Sequence, residues 1–363
     1  MDFASAISLP FETPFFVIDL DQVERNISKA QSIASRGGKV LRPHSKTHKI
    51  PELSRLQVSA GARGVCVQKA SEAEVMYRGG VQNILLSNEI LGRKFERAAN
   101  LIREGCDLTV AVDNLEAARQ YSNICNHNGI RGQVVIDVNI GMNRCGIPPP
   151  AFNSFCDAVR GMPSLELVGL MAYDGHVALP DIGKRREMVG AEEKIIEPMV
   201  KYLHTIGIEN PVISVGGTPT FEIWAESEVV NELQPGTYIY YDMHCNAMNL
   251  CTISEIAIGV VATVISESVG ERFVLDAGYK SISLDQGVYP GVFDAGGERY
   301  DVLSMSEEHT VVKPTDHKKR LGEKFIMLPY HACTTTDLWD RAYVVSRGAK
   351  PRSIIIEARG KRE

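Results

Sequence analysis

The chain has 363 residues, of which 44% are hydrophobic and 23% charged, and its formal net charge is −6. This composition is ordinary for a globular protein, and the length allows one large domain and a smaller one. The acidic balance and the lack of a long basic run argue against a nucleic-acid partner. No apolar run approaches the roughly 18 residues that a membrane-spanning helix needs. We therefore expect a globular protein that binds neither nucleic acid nor membrane.

The N-terminus and the cysteines bear on the compartment. The first residues, Met1-Asp2-Phe3-Ala4-Ser5, lack a basic segment followed by an apolar core, so no signal peptide is predicted. The eight cysteines are scattered without the spacing of a disulfide framework. This pattern is typical of reduced, mostly buried thiols, and we expect a cytoplasmic protein.

Taken in chain order, the predicted elements start with an apolar run at 15–18 and a helix over 23–35. Eight predicted strands follow at 40–41, 64–67, 84–87, 108–112, 134–138, 165–172, 212–215 and 230–233. Helical patterns lie between them at 49–60, 71–79, 93–104, 115–128, 150–160, 186–207 and 219–226. Eight such units predict an α/β fold of the (β/α)8 TIM-barrel type. A doubly wound sheet is the alternative, but no glycine-rich dinucleotide turn follows the first strand.

The pattern changes after residue 250. Strands are predicted at 255–269, 272–278 and 324–328, with turns at Pro290-Gly291 and Gly296-Gly297 and no long helical period. We therefore predict a barrel over 23–250, a β-rich domain over 251–363, and an N-terminal strand within 1–22 that joins the β-rich domain.

Polar and glycine residues gather where the predicted barrel strands end. In chain order they are Lys46, Gln68, Asn88, Asp113, Asn139, Asn143, Arg144, Tyr173, Asp174, His176, Gly216-Gly217-Thr218 and Gln234-Pro235-Gly236-Thr237. The carboxyl ends of the strands form one face of a barrel, and that face carries the active site. The sequence therefore predicts a site built from several strands.

Lys46 lies in the basic segment Arg42-Pro43-His44-Ser45-Lys46-Thr47-His48-Lys49, just after the first barrel strand. Neighbouring cations should lower the pKa of its ammonium group, and a neutral amine can form a Schiff base with an aldehyde. Lys49 is expected on the surface at a helix start. The alternative for the whole segment is an ordinary basic surface loop.

Two glycine turns, Gly216-Gly217-Thr218 and Pro235-Gly236-Thr237, follow the seventh and eighth strands. Barrels often bind phosphate there through backbone N–H groups, although both segments also suit ordinary tight turns. A lysine for an aldehyde and a cradle for a phosphate together predict pyridoxal 5′-phosphate (PLP) as cofactor.

Several motifs together resemble those of the fold-type III PLP enzymes, in particular the D-serine dehydratase and D-threonine aldolase family. They are the segment RPHSKTHK at 42–49, Gly141-Met142-Asn143-Arg144-Cys145-Gly146, Tyr173-Asp174-Gly175-His176, the two glycine turns and His331-Ala332-Cys333. The resemblance spans about Thr13 to Tyr343. It implies an alanine racemase-like barrel followed by a β domain, in a homodimer with active sites at the subunit interface.

The resemblance also implies roles for individual residues. Lys46 would be the Schiff-base lysine, and Arg144 would lie near the phenolic oxygen of the cofactor or the substrate carboxylate. Tyr173 and His176 would lie beside the cofactor ring or the substrate, although His176 also suits a loop histidine that only orients its neighbours. The residues implied for the phosphate are Gly217, Thr218, Gly236 and Thr237.

Gln234 marks a departure from the racemase branch of these enzymes. In that branch an arginine at this position faces the pyridine nitrogen of the cofactor, whereas this chain has a neutral amide. A neutral partner changes how the cofactor ring withdraws electrons, and this makes a racemase less favoured. Tyr279 points the other way, since a tyrosine near this position is the second base of alanine racemases, but it also suits a packing role.

His331-Ala332-Cys333 follows the predicted strand 324–328. Residues i and i+2 of an extended segment share a face, so both side chains could reach one metal ion, and imidazole with thiolate suits zinc. The pair alone is a weak signal. The resemblance implies a two-ligand metal site here, with His-x-Cys in the dehydratase branch and often His-x-Asp, suited to manganese or magnesium, in the aldolases.

These residues lead to one main interpretation and three alternatives. The main one is a PLP- and metal-dependent lyase that dehydrates D-configured β-hydroxy amino acids, such as D-serine, D-threonine or 3-hydroxyaspartate, to a keto acid and ammonia. The first alternative is retro-aldol cleavage to glycine and an aldehyde. An amino-acid racemase is less favoured, and a non-catalytic PLP carrier is opposed by the long segment after residue 250.

Overall fold

The computed structural model describes residues 1–363 and divides into two compact units. The antiparallel unit comprises Met1–Ser28, Thr47–Lys49 and Thr237–Gly360. The parallel unit comprises Lys29–Lys46, Ile50–Gly236 and Lys361–Glu363. Residues 237–250, which the sequence pattern placed in the barrel, thus lie in the antiparallel unit, and the exact domain boundaries stay a prediction.

The strands are β1 (Phe15–Asp19), β2 (Val40–Leu41), β3 (Val65–Val67), β4 (Asn83–Leu86), β5 (Asp107–Val112), β6 (Gly132–Val138), β7 (Leu165–Ala172), β8 (Val212–Val215), β9 (Glu232–Leu233), β10 (Ile258–Ser266), β11 (Phe273–Leu275), β12 (Gly291–Phe293), β13 (Arg299–Tyr300), β14 (Val302–Met305), β15 (Thr310–Val312), β16 (Lys324–Leu328), β17 (Arg341–Val345) and β18 (Arg352–Ile355). The helices are α1 (Phe3–Ile7), α2 (Leu20–Arg36), α3 (Pro51–Ser59), α4 (Ala70–Arg78), α5 (Arg93–Arg103), α6 (Leu115–His127), α7 (Phe152–Arg160), α8 (Ile182–Thr205), α9 (Phe221–Trp224), α10 (Met243–Ala247) and α11 (Ala332–Thr336).

The parallel unit contains one eight-stranded sheet in the order β2-β9-β8-β7-β6-β5-β4-β3, with every adjacent pair parallel. All eight strands predicted for this part of the chain are confirmed, and helices lie between them as expected. The two ends of the sheet are also hydrogen-bonded: the Arg63 N–H donates to the Leu41 carbonyl at 2.9 Å, and the Cys66 N–H to the Pro43 carbonyl at 2.8 Å.

One face of the parallel sheet encloses an apolar cluster of Cys66, Leu85, Ala111, Val135 and Met171. Because side chains alternate along a strand, residues two positions further on lie on the same face. Those residues are Gln68, Ser87, Asp113, Asp137 and Tyr173. The switch from apolar to polar side chains at the carboxyl ends of the strands is therefore a direct consequence of the sequence period.

The antiparallel unit is built around the sheet β13-β12-β16-β10-β1-β17-β18, with β11, β15 and β14 branching from β10. Strand β1 pairs antiparallel with β10 and parallel with β17, so the early apolar run joins the β-rich unit as predicted. The elements not predicted from the sequence are β12–β15, β17, β18 and the short helices α1, α10 and α11. All of them have five residues or fewer, too short for a periodic pattern.

None of the eight cysteines forms a disulfide bond. No helix is both long enough and apolar enough to span a membrane.

Candidate active site

Three of the predicted site residues meet in the parallel unit. Lys46 lies in a 3₁₀ turn, Ser45–Thr47, that follows β2, and its Nζ is 5.5 Å from the centre of the Tyr173 ring. The guanidinium carbon of Arg144 lies 5.1 Å from the same ring centre. Both distances are within the range in which a cation is attracted to an aromatic face. Both cations therefore lie within cation–π distance of the Tyr173 ring, at the end of β7.

The turn that carries Lys46 is held by the buried residue His44. The Lys46 N–H donates to Nδ1 of His44 at 3.3 Å, and Nε2 of His44 lies 2.7 Å from Nε2 of Gln68 and 3.3 Å from Oγ of Ser87. These partners come from the ends of β3 and β4. The imidazole thus ties the lysine turn to the neighbouring strands.

Two other cations of the basic segment do not face Lys46 as free charges. Arg42 donates from Nε to Oε1 of Glu232 at 2.8 Å, and both side chains are buried. Lys49 forms an ion pair with Asp337 at 2.7 Å, and its side chain is only 12% exposed. The predicted surface position of Lys49 is therefore wrong. Its backbone takes a left-handed conformation (φ 56°), and its side chain lies against Asp337.

The turn after β8 brings backbone close to Tyr173. Gly216 has φ +87°, and a Cβ on it would lie 2.8 Å from Cδ1 of Trp224. A Cβ on Gly217 would lie 3.2 Å from the ring of Tyr173. The Gly217 N–H donates to Oγ1 of Thr220 at 3.1 Å. Glycine is thus required by close approach at this turn.

The remaining residues predicted for the phosphate follow β8 and β9. Thr218 and Gly236 are buried, and Thr237 is half-buried and begins a 3₁₀ turn, Thr237–Ile239. Their placement at strand ends agrees with the expected position, and the phosphate contact itself stays a prediction. Gln234, also half-buried, donates from Nε2 to Oγ of Ser214 at 2.8 Å.

His176 contacts a different set of residues from Lys46 and Arg144. Its Nε2 lies 3.1 Å from Oε1 of Glu192, a buried residue of α8. A Cβ on Gly141, whose φ is +136°, would lie only 2.6 Å from the same nitrogen. Burial, and then the charge of Asp174, raise the pKa of Glu192 to about 9. Both carboxyl oxygens of Glu192 and Nδ1 of His176 are buried without a hydrogen-bond partner, so the contact places the imidazole beside a carboxyl group that keeps its proton.

An acidic group beside Arg144 was not predicted from the sequence. Burial, followed by the hydrogen bond and charge of Glu89 and the charge of Asp113, raises the pKa of Asp137 to about 8, while Arg144 acts in the opposite direction. Asp113 accepts the Gly146 N–H at 3.0 Å. Asp137 lies inside a strand, where apolar residues were expected. Its place two positions after Val135 was the signal that could have found it.

The predicted metal ligands lie in the antiparallel unit. His331 has extended backbone (φ −131°, ψ 112°) and directly precedes α11, whose first turn contains Cys333. The expectation that both belong to one extended segment is therefore wrong. The first helical turn nevertheless brings Cys333 back towards His331, near enough to act on the pKa of its imidazole. Burial would lower the pKa of His331, but Cys333 and Asp285 together raise it to about 9.

Asp285 completes this arrangement. Its Oδ2 lies 2.6 Å from Nδ1 of His331, while its Oδ1 accepts from the hydroxyl groups of Ser283 and Thr334, both at 2.9 Å. A carboxylate on one imidazole nitrogen is the usual support of a metal-binding histidine, and it leaves Nε2 for the metal. Asp285 was not found from the sequence, since it lies in a turn with no motif around it.

Two further contacts fix the segment that carries the pair. Oδ2 of Asp242 accepts the Ala332 N–H at 2.9 Å, and Oγ1 of Thr47 lies 3.3 Å from Sγ of Cys333. The structure contains no cluster of three or more histidine, cysteine or carboxylate side chains with metal-ligand geometry. Imidazole and thiolate are ligands that suit zinc, so His331 and Cys333 are the candidate metal ligands of this unit.

Family comparisons agree with this architecture. Residues 18–244 match the family model described as "Alanine racemase, N-terminal domain", and residues 257–345 match "Putative serine dehydratase domain". A D-threonine aldolase from Arthrobacter sp is 33% identical over 96% of this chain and 93% of that protein. The chain belongs to the alanine racemase-like, fold-type III PLP enzymes.

Solved structures of this family superpose along the whole chain. The D-threonine aldolase from Filomicrobium marinum has a TM-score of 0.89 and 33% identity, with 97% of each chain covered. The D-threo-3-hydroxyaspartate dehydratase from Delftia sp. HT23 has a TM-score of 0.88 and 26% identity, covering 97% of this chain and 98% of the other. Two mutants of a D-threo-3-hydroxyaspartate dehydratase replace a histidine, or a cysteine two positions further on, by alanine, the latter in the metal-free form.

The residues of the parallel unit suit the cofactor that the family implies. PLP needs a primary amine for its aldehyde, a cation for its anionic oxygens and close backbone for its phosphate. Lys46 and Arg144 provide the amine and the cation on one aromatic ring. The turn at Gly216 and Gly217 has no room for side chains, as a turn that approaches a ligand closely requires.

Proposed function

We propose that this chain is a PLP-dependent lyase that acts on D-configured β-hydroxy amino acids. The observation that carries the proposal is the placement of Lys46 and Arg144 on the ring of Tyr173, at the carboxyl ends of the parallel strands. This is the constellation expected where a lysine binds an aldehyde cofactor beside a fixed cation. The activities of the named relatives support the choice of substrate class.

PLP, when bound, supplies an aldehyde that condenses with amines and a ring that withdraws electrons from the α-carbon of an amino acid. Lys46 would hold the cofactor through Nζ. Once the substrate amine has replaced this nitrogen on the aldehyde carbon, the freed amine of Lys46 would take the proton from the substrate α-carbon during dehydration. Arg144 binds an anionic oxygen of the cofactor or the substrate carboxylate with its fixed positive charge. Tyr173 keeps the two cations in place.

The main proposal is dehydration, which removes the α-proton and the β-hydroxyl and yields a keto acid and ammonia after hydrolysis. The pair His331 and Cys333 supports it. The named D-threo-3-hydroxyaspartate dehydratase has a histidine and a cysteine with the same spacing, and its cysteine-to-alanine mutant is described as metal-free. We propose that His331 and Cys333 hold a divalent metal ion. Zinc is the expected metal because thiolate is a soft ligand, and the bound ion would act as a Lewis acid.

Retro-aldol cleavage is the second candidate. Two D-threonine aldolases are each 33% identical to this chain over nearly its whole length, a higher identity than that of the dehydratases. Cleavage needs a base for the β-hydroxyl proton, and His176 is the candidate because its imidazole follows β7 directly after Tyr173-Asp174-Gly175 and its side chain is 27% exposed. His176 would accept this proton while the Cα–Cβ bond breaks and releases an aldehyde. The electron pair of that bond stays on the α-carbon, which then takes up a proton to give glycine.

Product analysis separates the two candidates. The protein, loaded with PLP and supplemented with zinc, is incubated with D-threonine, and the products are identified. Formation of 2-oxobutyrate and ammonia establishes dehydration, whereas glycine and acetaldehyde establish cleavage. L-threonine is the matched control substrate, and equal turnover of both enantiomers contradicts the proposed D-selectivity. If the protein forms no product from D-threonine, D-serine or 3-hydroxyaspartate, the proposal is overturned.

Two finer points accompany this proposal. The hydrogen bonds between the segments around β2 and β3 support closure of the parallel sheet into a (β/α)8 barrel. The resemblance implies a homodimer, and we propose Tyr279, Val288 and Tyr289 of the antiparallel unit, which are 39%, 42% and 44% exposed, as candidate interface residues. Tyr279 would then pack against the partner subunit and would not act as a catalytic base. Sedimentation of the wild type and of Tyr289→Glu tests the dimer: the variant should sediment as a monomer.

A further inference from the structure

Four polar side chains form a continuous hydrogen-bonded chain inside the parallel unit. Nε of Arg42 donates to Oε1 of Glu232 at 2.8 Å, and Oγ of Ser214 lies 2.6 Å from the same oxygen. Nε2 of Gln234 lies 2.8 Å from Oγ of Ser214. Arg42, Ser214 and Glu232 are almost completely buried, and Gln234 is half-buried at the end of β9. Only the last member of this polar chain reaches the predicted cofactor face.

The direction of each hydrogen bond follows from the chemistry of the groups. A guanidinium only donates, and a carboxylate only accepts, so Glu232 takes the single hydroxyl proton of Ser214. Oγ of Ser214 can then only accept from its other neighbour, which must be the NH2 group of Gln234. The carbonyl oxygen of Ser214, 3.4 Å from Nε2, imposes the same orientation, because a carbonyl cannot donate.

The amide of Gln234 therefore has a defined orientation. Oxygen and nitrogen of a glutamine amide have nearly the same shape, and only the hydrogen-bond network tells them apart. Here a flipped amide would place its oxygen against two acceptors of Ser214 and lose both hydrogen bonds. The NH2 group is thus turned inward, and Oε1 is the hydrogen-bonding atom left to face outward.

We infer that Ser214, held by Glu232 and Arg42, is a positioning residue that turns the oxygen of Gln234 outward to accept a hydrogen bond from a protonated ring nitrogen of PLP. The inference rests on the proposed function, since it needs the cofactor in this site. An amide oxygen has no proton to give, so it binds a pyridine nitrogen only when that nitrogen carries one. An arginine at this position, as in the racemase branch, only donates and favours the unprotonated ring.

Protonation of the ring nitrogen changes how strongly the cofactor ring withdraws electrons. A protonated ring carries a positive charge and withdraws electrons from the substrate α-carbon more strongly than a neutral ring. Both dehydration and retro-aldol cleavage place negative charge on that carbon, so the inference holds for either proposed reaction. Arg42 and Glu232 act on Gln234 indirectly. Arg42 holds the Glu232 carboxylate, which accepts the hydroxyl proton of Ser214, so that Oγ of Ser214 can only accept from Gln234.

The test is a measurement on the bound cofactor and not on turnover. PLP labelled with ¹⁵N in the ring is loaded into the wild type, and the chemical shift of the ring nitrogen reports its protonation. We expect the protonated form in the wild type at pH 8. In Ser214→Ala the ratio of protonated to unprotonated ring should fall about tenfold, because the amide loses its 2.8 Å hydrogen bond and keeps only the longer, 3.4 Å contact with the carbonyl oxygen of residue 214. Ser54→Ala, which changes a buried serine of α3 in the same unit, is the control and should match the wild type.

Two substitutions of Gln234 keep the test decisive even if Ser214→Ala does not fold. Gln234→Glu retains an acceptor and should keep the ring protonated, whereas Gln234→Arg offers only donors and should remove the proton. An unprotonated ring in the wild type, or no difference between the two Gln234 variants, overturns the inference. Failure of the proposed function looks different, because the protein would then bind no PLP through Lys46 or give no product.

Discussion

Oδ2 of Asp285 lies 2.6 Å from Nδ1 of His331, and this contact organises the candidate metal site. A carboxylate on Nδ1 keeps the proton on that nitrogen and leaves Nε2 as an electron-pair donor. The two residues are far apart in sequence, and no sequence motif contains both of them. Metal affinity should therefore depend on a residue that is not itself a ligand.

Asp285→Asn should weaken metal binding about 10- to 100-fold, the usual effect of removing the support of a ligand histidine. An amide can present its NH2 group to Nδ1 and so no longer holds the imidazole in the metal-binding tautomer. The measurement is a zinc titration with a competing chelator. Asp301→Asn, an exposed aspartate of the same unit, is the control. Equal zinc affinity in Asp285→Asn and wild type would show that Asp285 does not support the site.

Lys46→Gln should abolish the visible absorbance that PLP acquires on binding to a lysine, because a carboxamide cannot condense with an aldehyde. Lys49→Gln is the matched control from the same segment and should keep the absorbance. Loss of its ion pair with Asp337 should instead lower the free energy of unfolding by about 1–3 kcal/mol. The reverse pattern, with absorbance lost only in Lys49→Gln, would move the cofactor lysine to position 49.

Gly141→Ala should displace His176, since the new Cβ would lie 2.6 Å from Nε2 at a backbone φ of +136°. We expect kcat to fall about 10- to 100-fold while PLP absorbance is retained. Gly190→Ala is the matched control, because a Cβ at this position inside α8 would have nothing within 4 Å. That substitution should stabilise the protein by about 0.5–1 kcal/mol. Unchanged kcat in Gly141→Ala would separate His176 from the reaction.

Glu192→Gln should flatten the pH dependence of stability. Burial raises the pKa of Glu192 to about 9 in the folded protein, whereas an unfolded glutamate titrates near 4.3. Between these values the folded state binds more protons than the unfolded state, so stability falls as pH rises through this window. Glutamine removes this contribution, which is at most about 1.4 kcal/mol per pH unit.

Urea unfolding at several pH values between 5 and 9 measures this difference. Glu197→Gln, on the same helix and 48% exposed, is the control and should keep the wild-type slope. Parallel curves for the wild type and Glu192→Gln would mean that Glu192 is ionised in the folded state.

The parallel sheet was predictable because its signal is local. Each strand of the parallel sheet is a short apolar run next to a helix in the chain, and all eight were found. The ends of the predicted strands also indicated which residues lie at the carboxyl ends, including Lys46 and Tyr173. The antiparallel unit was much less predictable, because strands such as β12 and β13 have only two or three residues and depend on partners distant in sequence.

The sequence by itself determined the residue types that chemistry needs: Lys46, Arg144, the glycine turns and the pair His331 and Cys333. Only the tertiary structure decided which group each of them faces. Asp285 on His331, Glu192 on His176 and Ser214 on Gln234 join different segments of the chain. Spacing cannot reveal such partners, because buried charges and amides are satisfied by whatever polar group the fold brings within about 3 Å.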